Sequence, residues 1–305
     1  MNKRPAKILI WGGGLNFNRM LPYLHERENN GEIRIIGVVD KYEPEDGTIG
    51  GYPYVAPSDV PAQDYDYLKI MSAKYRAEIV REYLAMPGSD AGKIIGNVYP
   101  EISIEQHFQI KEAKPTIFST SCWAGFIYHY LGIECTSPFK NLWLLDTDYM
   151  RFLQDPRGYM AKDPVPVRMQ KRLSKYDEDI FPIIKLGDID LYCNHSNSME
   201  EAISDWIRRR EKINWNNVLV QMNTTNPKIE KEFNRLDIPY RRLCFVPYPT
   251  NEPYSFYLAP KKHPFDLSAW IDQVNATAFP YKNPFDMYSL FFREPKVNPC
   301  YDPAR

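Results

Sequence analysis

Strand-length apolar runs alternate with segments of helical period along most of this chain, which predicts an α/β protein with mainly parallel sheets. Its 305 residues exceed what one hydrophobic core usually organises, so two domains are expected. After Pro247 prolines and aromatics crowd together, which predicts an irregular tail that wraps the body instead of building a third core. Together these give two Rossmann-like domains plus that tail. The expected bounds are 1–100, a helical connector at 101–114, a second domain at 115–260 and the tail at 261–305.

The elements follow in order. Lys7 to Trp11 reads as a buried strand, Leu15 to Arg27 as a helix with Met20, Leu21 and Leu24 on one face, and Ile33 to Val39 as a second strand, which makes a βαβ unit. Asp66 to Met71 is a third strand, Lys74 to Ala85 a helix and Lys93 to Gly96 a short fourth strand. In the second half, strands are expected at Thr116 to Ser119, Leu142 to Leu145, Ile189 to Cys193, Val218 to Met222 and Leu243 to Val246. Helices are expected at Gly125 to Leu131, at Thr147 to Gln154, from Ser198 onward and after Pro227. Met199, Ala202, Ile203, Trp206 and Ile207 share one helical face, and Ser198 with Glu201 caps its start. Arg157 to Phe181 reads as a long irregular stretch, and one tail helix is expected at Leu267 to Val274.

Composition excludes several function classes. Lys and Arg number 38 against 39 Asp and Glu, a net charge of -1, so no global field recruits nucleic acid or an anionic membrane. The five cysteines (122, 135, 193, 244 and 300) contain no C-x-x-C pair, which argues against a zinc site or a disulfide framework and for reduced, cytosolic thiols. The start of the sequence is too short in apolar residues for a signal peptide, and no run is long enough for a transmembrane helix. The expected location is therefore cytoplasmic.

Candidate chemistry falls where strands hand over to helices, because that edge exposes side chains and backbone N–H groups. Cys122, in Ser119-Thr120-Ser121-Cys122-Trp123, is a candidate nucleophile, with a thiolate favoured by the positive end of the helix that follows. His195, between a strand and a capped helix, is its expected base, and such a pair supports acyl transfer. Trp123 and Asn223 are candidate substrate contacts. Gly12-Gly13-Gly14-Leu15-Asn16 followed by Asp40 resembles a dinucleotide fingerprint, so Gly12, Gly13, Gly14, Asn16 and Asp40 are candidate nucleotide contacts, although Phe17 stands at the third glycine position. Asp146-Thr147-Asp148 has the D-x-D form that holds Mg²⁺ or Mn²⁺ against a nucleotide diphosphate, and equally the form of a helix N-cap. Arg208-Arg209-Arg210 suits a solvated helix end or a phosphate contact.

Two resemblances add to this. Ile8-Leu9-Ile10-Trp11-Gly12-Gly13-Gly14, Ile36-Gly37-Val38-Val39-Asp40 and Gly50-Gly51-Tyr52-Pro53-Tyr54 resemble the nucleotide-sugar-binding subdomain of bacterial sugar acyltransferases. Ser121-Cys122-Trp123-Ala124-Gly125-Phe126-Ile127-Tyr128, Asp148-Tyr149-Met150-Arg151-Phe152-Leu153 and Ile189-Asp190-Leu191-Tyr192-Cys193-Asn194-His195 resemble a bacterial family of unknown function labelled exopolysaccharide biosynthesis proteins. The resemblance implies an α/β fold and a setting in cell-surface polysaccharide production. The expectation is a transferase acting on a sugar or nucleotide-activated sugar. The alternatives are a metal-dependent glycosyltransferase and a non-catalytic sugar- or nucleotide-binding factor that joins polysaccharide-assembly proteins.

Overall fold

The computed structural model describes residues 4–171 and 180–293. Cys300 and the last twelve residues of the expected tail lie outside the described residues, as does part of the stretch read as irregular. The chain divides into two compact units: residues up to Phe108 with His129–Ile133, and Gln109–Tyr128 with the described residues from Glu134 onward.

In the first unit, β1 (Ala6–Trp11), α1 (Leu15–Asn29) and β2 (Ile33–Val39) form the expected βαβ unit. Next come β3 (Thr48–Ile49), β4 (Tyr52–Val55), β5 (Tyr67–Ile70), α2 (Arg76–Leu84) and β6 (Ile94–Ile95), and the first half of α3 (Ile104–Ala113) up to Phe108. The sheet order is β3-β4-β2-β1-β5-β6, parallel throughout except for β3 against β4. Successive strand residues point to opposite faces. Leu9, Trp11, Leu68 and Ile70 therefore pack with Ile79 and Tyr83 of α2, whereas Ile8, Ile10 and Val38 pack with Phe17, Met20 and Leu24 of α1. The strand order reverses at β1, where open α/β sheets leave room for ligands at the carboxyl edge.

The second unit holds the rest of α3, then β7 (Thr116–Ser119), α4 (Trp123–Leu131) as far as Tyr128, α5 (Asp146–Gln154) and α6 (Pro156–Met160). It continues through β8 (Val165–Lys171), β9 (Ile180–Leu186), β10 (Ile189–Tyr192), α7 (Met199–Arg210), β11 (Val218–Asn223), α8 (Pro227–Arg235), β12 (Arg241–Val246) and β13 (Ser255–Tyr257). Two helices, α9 (Leu267–Ala276) and α10 (Ser289–Phe292), belong to the tail. A four-stranded sheet ordered β13-β12-β11-β7 is wholly parallel. On one of its faces Phe118, Val220 and Cys244 share a core with Phe139, Phe152, Trp206 and Phe233. Phe245, in β12, meets Trp123 and Phe285 edge-on, which ties a tail residue to the sheet.

Several sequence expectations need correction here. Leu142 to Leu145 is not a strand: only Trp143 bridges Tyr192, with the two rings stacked at 3.8 Å. The stretch read as irregular holds α6, β8 and the start of β9, and Pro166 and Pro182 inside those strands are what disguised them. The strand at Ile189 belongs to a separate antiparallel sheet ordered β10-β9-β8, not to the parallel one. The tail is more regular than expected. Met287, Leu290 and Phe291 of the tail are buried. Among the described residues no helix is long and apolar enough to cross a membrane.

Candidate active site

The carboxyl edge of the parallel sheet in the second unit collects the chemistry. β7 ends at Ser119, and Thr120, Ser121 and Cys122 lead directly into α4, where the Phe126 N–H donates to the Cys122 carbonyl at 3.2 Å. Cys122 is thus the N-cap of α4, and its thiol sits at the positive end of the helix dipole. Cys122 Sγ lies 3.3 Å from His195 Nε2, across 73 residues of sequence. His195 follows β10 in a turn closed by the Ser196 N–H donating to the Cys193 carbonyl at 2.9 Å. The thiol is half-buried and the imidazole exposed, so the pair faces solvent from a fixed loop. Cys193 is buried and its thiol is pushed up to about 12 by desolvation, which leaves it an inert neighbour.

Hydroxyls and amides tie down the residues that flank Cys122 in sequence. The Thr120 hydroxyl donates to Asn223 Oδ1 at 2.8 Å, and the Asn223 N–H returns a bond to Thr120 Oγ1 at 3.1 Å. Asn223 ends β11, half-buried, at the edge the sequence suggested. The Ser121 hydroxyl donates to Asn275 Oδ1 at 2.9 Å, and Trp123 Nε1 donates to Thr277 Oγ1 at 2.9 Å. Trp123 is fully buried, so its indole anchors the core and cannot serve as the substrate face expected of it. Gly125, one turn into α4, is required because Asn141 Oδ1 stands 2.0 Å from where a Cβ would be.

Asp146 and Asp148 face different partners. Asp146 accepts from the Thr224 hydroxyl at 2.8 Å and from the Thr147 N–H at 2.9 Å. Asp148 is buried, accepts from the Asp190 N–H at 3.1 Å and is paired with Arg151. Leu145 is the N-cap of α5, so neither Asp146 nor Thr147 caps it. Among the described residues no three His, Cys, Asp or Glu side chains are grouped to hold a metal ion. The arginine run is not simply solvated: Arg209 pairs with Asp205 and donates to the Lys140 carbonyl, while Arg210 pairs with Asp163.

In the first unit, Gly12 turns with φ +106°, its N–H donating to the Val39 carbonyl at 2.9 Å. The Gly13 N–H donates to Asp40 Oδ2 at 2.9 Å, and Asp40 Oδ1 accepts from the Lys41 N–H at 2.7 Å. Two of the loop amides are therefore engaged within the protein. Gly14 is the N-cap of α1, and the first turn of that helix, which includes half-buried Asn16, carries no acidic residue.

The model of a family described as a domain of unknown function, DUF1919, matches residues 96–292. The chain belongs to that family. A second match, described as C2185-like, N-terminal, covers residues 4–95. An uncharacterized protein of Haemophilus influenzae (strain ATCC 51907 / DSM 11121 / KW20 / Rd) is 28% identical over 140 residues, 46% of this chain and 63% of the relative. The chain thus spans less than two thirds of that relative's length.

Cys122, His195 and every group around them fall inside the DUF1919 match. Sequence reading missed that Thr120, Asn275 and Thr277 hold the segment around Cys122 and that Thr224 holds Asp146. Thr120 and Thr224 each lie just beyond or at a strand end, and that position was the available signal. Asn275 and Thr277 lie 154 residues from the groups they bind, and only their polarity at the end of an apolar helix hinted at a partner.

Proposed function

We propose that this DUF1919 protein is a cysteine-dependent, metal-free transferase acting on a sugar or nucleotide-activated sugar in bacterial cell-surface polysaccharide biosynthesis, in the cytoplasm. The observation that carries the reading is the 3.3 Å approach of Cys122 Sγ to His195 Nε2 at the start of α4. In this scheme His195 takes the thiol proton, the thiolate attacks the activated carbon of the donor, and His195 returns the proton to the leaving group. An acceptor hydroxyl then gives its proton to His195 and attacks the same carbon, the C–S bond breaks, and the released thiolate takes the proton back from His195, which regenerates the enzyme. Asn223, half-buried at the end of β11 and braced from behind by the buried Thr120 hydroxyl, suits a hydroxyl-bearing ligand. Taken by itself, the first unit offers Gly14 and the first-turn amides of α1 as groups suited to a phosphate. The polysaccharide setting rests on the resemblance of the blocks around Cys122 and His195.

The separate partners of Asp146 and Asp148 favour this reading over a metal-dependent glycosyltransferase. Cys122→Ala and His195→Ala should each abolish polysaccharide output in cells while leaving the melting temperature within a few degrees. Full output from both variants would instead support a non-catalytic binding factor.

A further inference from the structure

We propose that Asn275 and Thr277, at the carboxyl end of α9, are positioning residues that aim the Cys122 thiol at His195. This rests on reading that pair as nucleophile and base. The sequence Thr120-Ser121-Cys122-Trp123 is pinned from two sides. Thr120 exchanges two hydrogen bonds with Asn223 on β11, Ser121 is bonded to Asn275, and Trp123 to Thr277. The residues on either side of the cysteine are therefore both fixed by the same three-residue stretch of the tail.

The chemistry of those ties indicates geometry more than adhesion. Ser121 is 3% exposed, Thr277 4% and Asn275 9%, so each polar group has been taken out of water. Burying hydroxyl and amide groups gains little net stability, and Trp270 and Val274 already give α9 an apolar face for the core. A fully satisfied buried polar network instead specifies one arrangement. Thr277 is set for this. Its hydroxyl donates to the Val274 carbonyl at 2.7 Å, which leaves a lone pair directed at the Trp123 indole N–H. Trp123 is the first residue of α4, so holding its ring fixes the helix start next to Cys122. A thiol joined to the backbone by one carbon moves with that backbone, and a shift of about 1 Å would carry Sγ out of hydrogen-bond reach of His195.

The test is the rate of Cys122 modification by iodoacetamide as a function of pH, read by peptide mass on the full chain, with the melting temperature of each variant. The variants are Thr277→Val, Asn275→Leu, Thr277→Ser, Val274→Ala and His195→Ala. Thr277→Val and Asn275→Leu should slow modification near pH 7 by about tenfold and move the pH midpoint toward that of His195→Ala. Thr277→Ser keeps the hydroxyl and should restore the wild-type profile. Val274→Ala, a core change on the same helix, should lower the melting temperature and leave the midpoint in place. Wild-type midpoints for both Thr277→Val and Asn275→Leu, or an equal shift for Val274→Ala, would overturn the positioning role. A His195→Ala profile identical to wild type would overturn the nucleophile–base reading itself, and the positioning role with it.

Discussion

Lys69 shows how one buried side chain makes the protein sensitive to pH. It sits on β5 beside a cavity of about 20 Å³ lined also by Arg27 and Asn97, and its Nζ donates to the Asn97 carbonyl at 2.7 Å. Desolvation, with Arg27 and Arg76 adding like charge, lowers its amine to about 7. An unfolded lysine titrates near 10.4, so between about pH 7 and 10 the unfolded chain holds a proton that the folded one lacks. Stability should therefore rise with pH across that window by up to about 1.4 kcal/mol per unit, and the slope should vanish below it. Urea unfolding at pH 7.5 and 9.5 measures this, and Lys69→Met should flatten the difference. Phe17, which breaks the glycine fingerprint, has an equally local reason. Its ring packs where a side chain on Gly50 would stand, 2.6 Å from the Cβ position, and Gly50 has φ +61°. Gly50→Ala should cost about 1–3 kcal/mol in the same assay, and a neutral result would show that Phe17 yields.

At the scale of elements, α7 was legible because its signals are local. Ser198 accepts from the Glu201 N–H at 3.1 Å as the capping pattern predicts, although Glu201 Oε2 takes the Asn197 N–H, one residue earlier than the box expects. Ser198→Ala should cost about 1 kcal/mol, seen as a lower urea midpoint at unchanged slope. β8 and β9 were illegible for the opposite reason. Their pairing is settled by partners in space, and Pro166 and Pro182 break the local pattern that announces a strand. The same division runs through the site. Cys122 and His195 were findable because each follows a strand. The burial of Trp123 and the separate partners of Asp146 and Asp148 depend on residues far away in sequence. Nor does local pattern distinguish an N-cap from a metal ligand, since both need short oxygen-bearing side chains in the same place.

For the whole molecule, a near-zero net charge means that recognition of any ligand is local, and the proposed place for it is the edge of the second unit where Cys122 and Asn223 are half-buried and His195 is exposed. Ligand-induced stabilisation should accordingly survive chelation, and loss of binding in EDTA would restore the metal-dependent alternative. An activated sugar held over Cys122, as proposed, would shield the thiol from reagents. The most direct test is the rate of iodoacetamide labelling of Cys122, followed by peptide mass in a panel of UDP- and CMP-sugars and free sugars, with and without Mn²⁺. At least one activated sugar should slow labelling of Cys122 by tenfold or more when present at about a hundred times its dissociation constant, with no need for metal. Labelling that proceeds at the same rate with every member of the panel would contradict the proposal.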